Sequence, residues 1–152
     1  MARASVTTRV IDRGFAAEMA HARMLDGRGV KVGIQAGAGS EDGVDLLDIL
    51  IWNEFGTRYT PSRPVMRSYF DGAQRDLGRQ ADNAATFVMR TGQIGVALAM
   101  LGEYAQKGLQ AHWRASKSWA VPNSEATIRA KGSDVPLINN GTLIRAARWA
   151  AI

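Results

Sequence analysis

The chain contains no cysteine, so disulfide bonds and metal sites built on thiolates are excluded. Long apolar runs are missing as well. The longest, Leu46 to Trp52, is interrupted by Asp48 and is far shorter than the roughly 20 residues that a membrane span requires. The first residues lack the apolar core of a signal peptide. We therefore expect a protein without a membrane segment that acts without export.

Histidine is also scarce, since only His21 and His112 occur, and they fall in different predicted helices. One histidine with Glu18 three residues before it makes no metal site unless other ligands converge. Serine residues are present, but none lies in the glycine elbow that surrounds many serine nucleophiles. Asp45, Asp48 and Glu54 lie near an apolar run, yet nothing completes a catalytic set. We expect neither catalysis nor a cofactor.

Composition predicts a globular chain, because hydrophobic residues make up 46% and charged residues 22% of the sequence. A length of 152 residues fits one domain. We assign residues 1–10 to an N-terminal arm and 11–152 to a single domain. The net charge of +5 and the pI of about 10.1 permit an acidic partner, either nucleic acid or protein. No basic run occurs, because the arginines are spread along the chain.

Apolar periodicity predicts a first helix over 11–26, capped by Asp12 and closed by Gly27 and Gly29. Its predicted apolar stripe includes Ile11, Phe15 and Met19. Residues 30–36 alternate apolar and polar side chains, which indicates a half-buried strand. For 46–55 we favour a helix leading into a short strand at 52–55.

Longer amphipathic patterns follow. They predict one helix from Val65 to about Thr91 and another from about Ile94 to Trp113, with Pro64 at the first position of the earlier one. Residues 114–142 show turn signals instead of periodicity. Residues 143–149 are apolar again and indicate either a strand or a final helical turn.

The loop at 37–43 begins with Gly37, Ala38 and Gly39, as dinucleotide-binding loops do after a strand. That fingerprint requires a third glycine where this chain has Asp42, and Glu41 beside it would also repel a pyrophosphate. We therefore predict a flexible loop between strands and no nucleotide site.

Two small groups of arginines lie near the middle of the chain. Arg58, Arg63 and Arg67 form one cluster, and Arg75 and Arg79 follow on the long helix. Such charges can contact phosphates, but no known nucleic-acid-binding motif accompanies them. Carboxylates of a neighbouring subunit would use the same side chains, and the planar guanidinium suits buried pairs. We favour protein partners.

Two motifs resemble a known family. The first is Asn53-Glu54-Phe55-Gly56-Thr57 followed by Pro61-Ser62-Arg63-Pro64-Val65-Met66-Arg67, and the second runs from Trp119 through Pro122-Asn123, Thr127-Ile128 and Lys131-Gly132 to Pro136-Leu137-Ile138. In order and spacing they are similar to the neck and tail-completion proteins of tailed bacteriophages. The chain departs from that pattern at Val65, where phenylalanine is common, and at 139–143.

The resemblance implies a non-enzymatic virion protein that forms a homo-oligomeric ring at the head–tail junction, between connector or head-closure proteins and the tail terminator or tail tube. It also implies a copy number that is a multiple of six and the passage of DNA through the ring. The implied location is the host cytoplasm during assembly and then the virion. The implied fold is α+β, with a small, mostly antiparallel sheet packed by an N-terminal helix and a long central helix pair. The strand and helix patterns agree with it.

The residues of the first motif predict a rigid turn, which we call the corner. We expect Gly56 to adopt a backbone conformation that other residues resist, and Pro61 and Pro64 to stiffen the loop. Glu54 is expected either to accept hydrogen bonds from loop amides or to pair with Arg63. The predicted structural residues are Glu54, Phe55, Gly56, Thr57, Pro61, Arg63 and Pro64. The candidate contacts to other subunits or partners are Arg58, Arg67, Arg75, Arg79 and Lys131.

Overall fold

The computed structural model describes residues 14–152, so the expected arm at 1–10 and the roles of Ile11 and Asp12 lie outside the described residues. The order of elements is α1 (Phe15–Leu25), β1 (Val30–Ile34), β2 (Ser40–Glu41), β3 (Val44–Asp45), α2 (Leu46–Phe55), α3 (Val65–Thr91), α4 (Ile94–Arg114), α5 (Ser116–Trp119), α6 (Glu125–Lys131), α7 (Thr142–Ala146) and β4 (Ala147–Ala151). This mixed helical and antiparallel architecture confirms the expected α+β class.

The sheet joins the two ends of the described chain. Strands β1 and β4 pair antiparallel, with Val30 opposite Ala151 and Ile34 opposite Ala147. Gly29 and Ile152 extend the ladder by exchanging two backbone hydrogen bonds of 3.0 and 2.9 Å. Both alternatives for 143–149 occur, because helix α7 ends at Ala146 and β4 begins at the next residue.

The predicted loop at 37–43 contains part of a small hairpin formed by β2 and β3. Its tip is Asp42-Gly43, with φ of +52° and +80°. An Asp-Gly pair suits this tip because both central residues of the favoured two-residue hairpin turn need positive φ. The expected loop thus carries a short antiparallel ladder of its own.

Helices α3 and α4 form the central pair, and their start and end agree closely with the apolar periodicity. Gly92 links them in the left-handed conformation, with φ of +70°. Helix α1 packs on α3, where the His21 Nδ1 donates to the Met89 carbonyl at 2.8 Å. No residue of α1 is buried, and Phe15 is 68% exposed. The described part of the predicted apolar stripe of α1 is therefore largely exposed to solvent.

The core lies between α3, α4, α2 and the β1–β4 sheet. Trp113, Leu109 and Val65 are fully buried there, and Tyr69 packs beside them. Helix α4 also holds β4, because the Gln106 side chain accepts from the Trp149 amide at 2.9 Å. The sheet is therefore fixed to the central helix pair by polar as well as apolar contacts.

The prediction of a strand at Trp52–Phe55 is wrong, because α2 continues as a helix to Phe55. Its buried face is formed by Leu46, Leu50 and Glu54, which recur every four residues. The Asn53 side chain adds a bond from Nδ2 to the Ile49 carbonyl at 2.7 Å. The helical period that begins with Leu46 and Leu50 thus continues through a polar residue, Glu54.

Turn signals in 114–142 were correct at the ends of α6, but the helix between them was not predicted. Ser124 caps it, since its hydroxyl accepts from the Thr127 amide at 3.2 Å. Gly132 ends it with φ of +69°. Seven residues form less than two full turns, too few for a clear apolar stripe.

Gly102 of α4 lies against the Trp149 side chain of β4. A methyl group there would overlap the Trp149 indole, so Gly102→Ala is expected to lower the free energy of unfolding by about 2 kcal/mol through overpacking. In α3, a methyl at Gly72 meets nothing within 4 Å, so Gly72→Ala is expected to raise it by about 0.5 kcal/mol. Urea unfolding of both variants measures these changes. A Gly102→Ala protein as stable as the wild type would contradict this packing.

Candidate functional site

The first motif folds into a corner between α2 and α3. Gly56 ends α2 with φ of +77° and ψ of 172°, a region that is essentially restricted to glycine. Beyond it, the Thr57 hydroxyl accepts from the Tyr59 and Thr60 amides at 3.2 and 3.1 Å. The loop then returns to α2, because the Arg63 amide donates to the Asn53 carbonyl at 2.6 Å. The corner is thus fixed by backbone geometry and hydrogen bonds.

Glu54 holds the start of α3. Its side chain is 8% exposed, and its two carboxylate oxygens accept from the Met66 and Arg67 amides at 3.0 and 2.9 Å. Pro64, placed just before the helix rather than at its first position, supplies no side-chain cap. A carboxylate is favourable here because the first amides of a helix lack internal partners and carry partial positive charge.

Of its two expected roles, Glu54 takes the first, as a hydrogen-bond acceptor. It accepts amide hydrogen bonds, but the amides belong to the first turn of α3 and not to the loop. The Glu54–Arg63 pair is not formed. Arg63, itself 8% exposed, donates instead from Nε to the Val121 carbonyl at 2.7 Å and from Nη2 to the Pro122 carbonyl at 3.1 Å. Burial lowers its pKa from the ordinary value.

Arg63 therefore joins the first motif to the second. The two motifs also share a cavity of about 420 Å³, between α2, the corner and the segment that contains α6. Asn53 and Arg63 of the first motif line it, together with Trp52 of α2. Segments far apart in sequence are thus brought to one place in the fold.

Lys131 lies in the wall of that cavity, where its Nζ donates to the Val135 carbonyl. Burial, and then the charge of Arg63, lower the pKa of Lys131. The side chain is therefore only partly accessible to a partner. Arg63 and Lys131 form no ion pair among residues 14–152. Glu41 and Asp42 also line the cavity, so its lining carries charges of both signs.

The remaining predicted contact residues lie apart from the cavity. Arg58 and Arg67 are exposed at the corner, and their guanidinium carbons lie over the Tyr59 and Phe55 rings, 5.6 and 5.7 Å from the centroids. Arg75 and Arg79 follow on α3, about 12 and 18 Å from Arg67 at the helical rise. Arg75 is exposed, whereas Arg79 pairs with Asp76 at 2.7 Å.

The sequence did not predict the exposed aromatic side chains that lie beside Arg58 and Arg67. Phe55 is 68% and Tyr59 87% exposed, and Ile51 and Trp52 are nearly half exposed. Helical spacing could have predicted the exposure of Ile51, Trp52 and Phe55, because they lie off the buried face of α2. We call Ile51, Trp52, Phe55, Arg58, Tyr59 and Arg67 the corner surface.

A contact between Ser68 and His112 is the closest approach to a catalytic pair in the described chain. Ser68 Oγ lies 2.8 Å from His112 Nε2. The imidazole stacks on Trp119 with centroids 4.5 Å apart, and burial lowers the His112 pKa. Among residues 14–152 no carboxylate is hydrogen-bonded to this ring, and no group of three or more potential ligands could hold a metal ion. The pair serves to pack α3 against α4 and Trp119.

Comparisons with known proteins add no family to these observations: no family model matches the chain, and neither a curated protein nor a solved structure does. Within residues 14–152, no helix is both long and apolar enough to cross a membrane.

Proposed function

We propose that the chain is a structural component of the head–tail junction of a tailed bacteriophage, acting as a neck or tail-completion protein. The observation that carries the proposal is the corner surface, an exposed group of aromatics and arginines on a rigid turn. Trp, Tyr and Arg dominate the binding energy of protein interfaces. A surface of this composition that is held by Gly56 and Glu54 suits a permanent protein contact.

The contact between the two motifs supports the same proposal. The residues that carry the resemblance to neck proteins lie far apart in sequence, yet Arg63 binds the carbonyls of Val121 and Pro122. A shared structural role gives both motifs a reason to occur together in one chain. The proposal includes no catalytic residue and no cofactor.

The proposed assembly is a homo-oligomeric ring, with a copy number that is a multiple of six. One side of the ring contacts connector or head-closure proteins, and the other contacts the tail terminator or the tail tube. Phage DNA passes through the centre. The protein is assembled in the host cytoplasm and remains in the virion.

A small basic DNA-binding protein is the second candidate, because the net charge is +5 and Arg58, Arg67 and Arg75 are exposed without ion pairs within the described chain. Such a protein would bind duplex DNA with an affinity that falls steeply with salt. Titration of DNA with the purified chain at several salt concentrations distinguishes the candidates, and we expect weak binding by the free protein.

Deleting the gene from the phage that encodes it tests the leading proposal. We expect DNA-filled heads and complete tails to accumulate unjoined, because the junction lacks one ring. Negative-stain electron microscopy of the particles, with the deletion complemented by the wild-type gene as control, measures this outcome. Normal infectious particles in the absence of the protein would contradict the proposal.

A further inference from the structure

The corner surface has a complementary counterpart at the other end of α2. Asp42, Asp45 and Asp48 are exposed around the hairpin tip and the first turn of this helix. None of them forms an ion pair within residues 14–152. Asp45 uses one oxygen to cap α2, accepting from the Leu47 amide at 2.7 Å. We call these three residues the acidic end.

The charged groups of the two surfaces do not meet within one copy, because no ion pair among residues 14–152 joins Arg58 or Arg67 to these aspartates. Helix α2 has ten residues, which separates its ends by about 15 Å. The corner surface carries Arg58 and Arg67 at the C-terminal end, and the three aspartates lie at the N-terminal end. A contact between them therefore requires two molecules.

We propose that the acidic end of one copy docks on the corner surface of the next, in a head-to-tail contact. The inference rests on the proposed ring function and identifies the contact that builds the ring. Opposite charges on two different patches suit a heterologous interface, which closes into a ring when the rotation permits. A two-fold contact centred on Arg58 and Arg67 would instead place arginine against arginine, which is unfavourable.

The composition of the corner surface also favours a protein partner of this kind. Exposed Trp52, Phe55 and Tyr59 supply apolar contact area, and the arginines beside them supply charge. The aspartates provide carboxylates that match guanidinium groups in planar, paired hydrogen bonds. Every group that the contact requires is present in the chain itself.

Charge reversal tests this contact. Arg67→Glu reverses the corner surface and Asp48→Arg reverses the acidic end, and each variant alone is expected to weaken self-association by about tenfold or more. An equimolar mixture is expected to restore assembly. The negative charge at position 67 of one variant then faces the positive charge at position 48 of the other, and the unaltered acidic end of the first faces the unaltered corner surface of the second. Sedimentation velocity over a range of concentrations measures the oligomer mass.

Matched controls exclude a general charge effect. Arg90→Glu and Asp82→Arg change exposed residues of α3 outside both surfaces, so wild-type association is expected for each. Circular dichroism and thermal melting confirm that every variant is folded before its association is compared. Restoration by mixing also requires that both partners are folded.

The outcomes separate this inference from the proposed function. Oligomers that are unaffected by Arg67→Glu and Asp48→Arg would overturn the contact and leave the ring proposal standing. A wild-type chain that stays monomeric at all concentrations would also overturn it, while the deletion experiment decides the junction role independently. Restored assembly in the mixture, together with normal particles from the deletion phage, would keep the contact and reject the junction.

Discussion

Replacing Gly56 with alanine is expected to lower the free energy of unfolding by about 3 kcal/mol. Two causes combine. The backbone at Gly56 has φ of +77° and ψ of 172°, where a side chain is strained in any surroundings. A Cβ there would lie 2.9 Å from the Ser62 nitrogen and 3.1 Å from the Thr60 oxygen, and both are backbone atoms.

These backbone atoms cannot yield without loss of hydrogen bonds. The Thr60 carbonyl accepts from the Thr57 amide at 2.9 Å, and the Arg63 amide next to Ser62 donates to Asn53. The matched control is Gly132→Ala, where φ is +69° but nothing lies within 4 Å of the added methyl. That variant is expected to lose only about 1 kcal/mol. Equal losses in urea unfolding would show that the corner tolerates a side chain.

Replacing Glu54 with glutamine is expected to cost about 3 kcal/mol. Glutamine has the same shape but no charge, and its side-chain amide group would face one of the two N–H donors at Met66 and Arg67. A buried helix start would then contain an unsatisfied donor and lose the favourable interaction with the helix dipole.

Urea unfolding measures the loss, and hydrogen exchange locates it. The amides of Met66 and Arg67 are expected to lose protection first, because their acceptor is the group that changes. Glu125→Gln is the control, since its carboxylate is 92% exposed and lies 3.7 Å from Arg129. Its effect is expected to stay within about 0.5 kcal/mol, as for most surface substitutions. A Glu54→Gln protein with wild-type stability and protection would refute the capping role.

The long elements could be predicted because their signals are local. Helices α3 and α4 each carry a long apolar stripe, and Gly92 marks the break between them. Strand β1 shows its alternation within five residues. The short helix α6 depends on a cap by Ser124 and on a closing glycine, Gly132. Of these two residues, only Gly132 belongs to the predicted turn signals.

The roles at the corner could be predicted only in part, because their partners are distant in sequence. The positive φ of Gly56 followed from its position after an apolar run. Arg63 finds its acceptors 58 and 59 residues away, and no local pattern gives that pairing. Glu54 fell within the predicted strand, and its amide partners, Met66 and Arg67, lie 12 and 13 residues further along the chain.

The most direct test of the proposed role is to add the purified protein to an extract of the deletion phage and count tailed particles by electron microscopy. We predict that separate heads and tails become joined, infectious particles after the wild-type protein is added. We also predict that the Arg67→Glu variant joins fewer of them, while Arg90→Glu, a change at an exposed residue of α3 outside both surfaces, acts as the wild type does. Particles that join equally well without the protein would contradict its role at the head–tail junction.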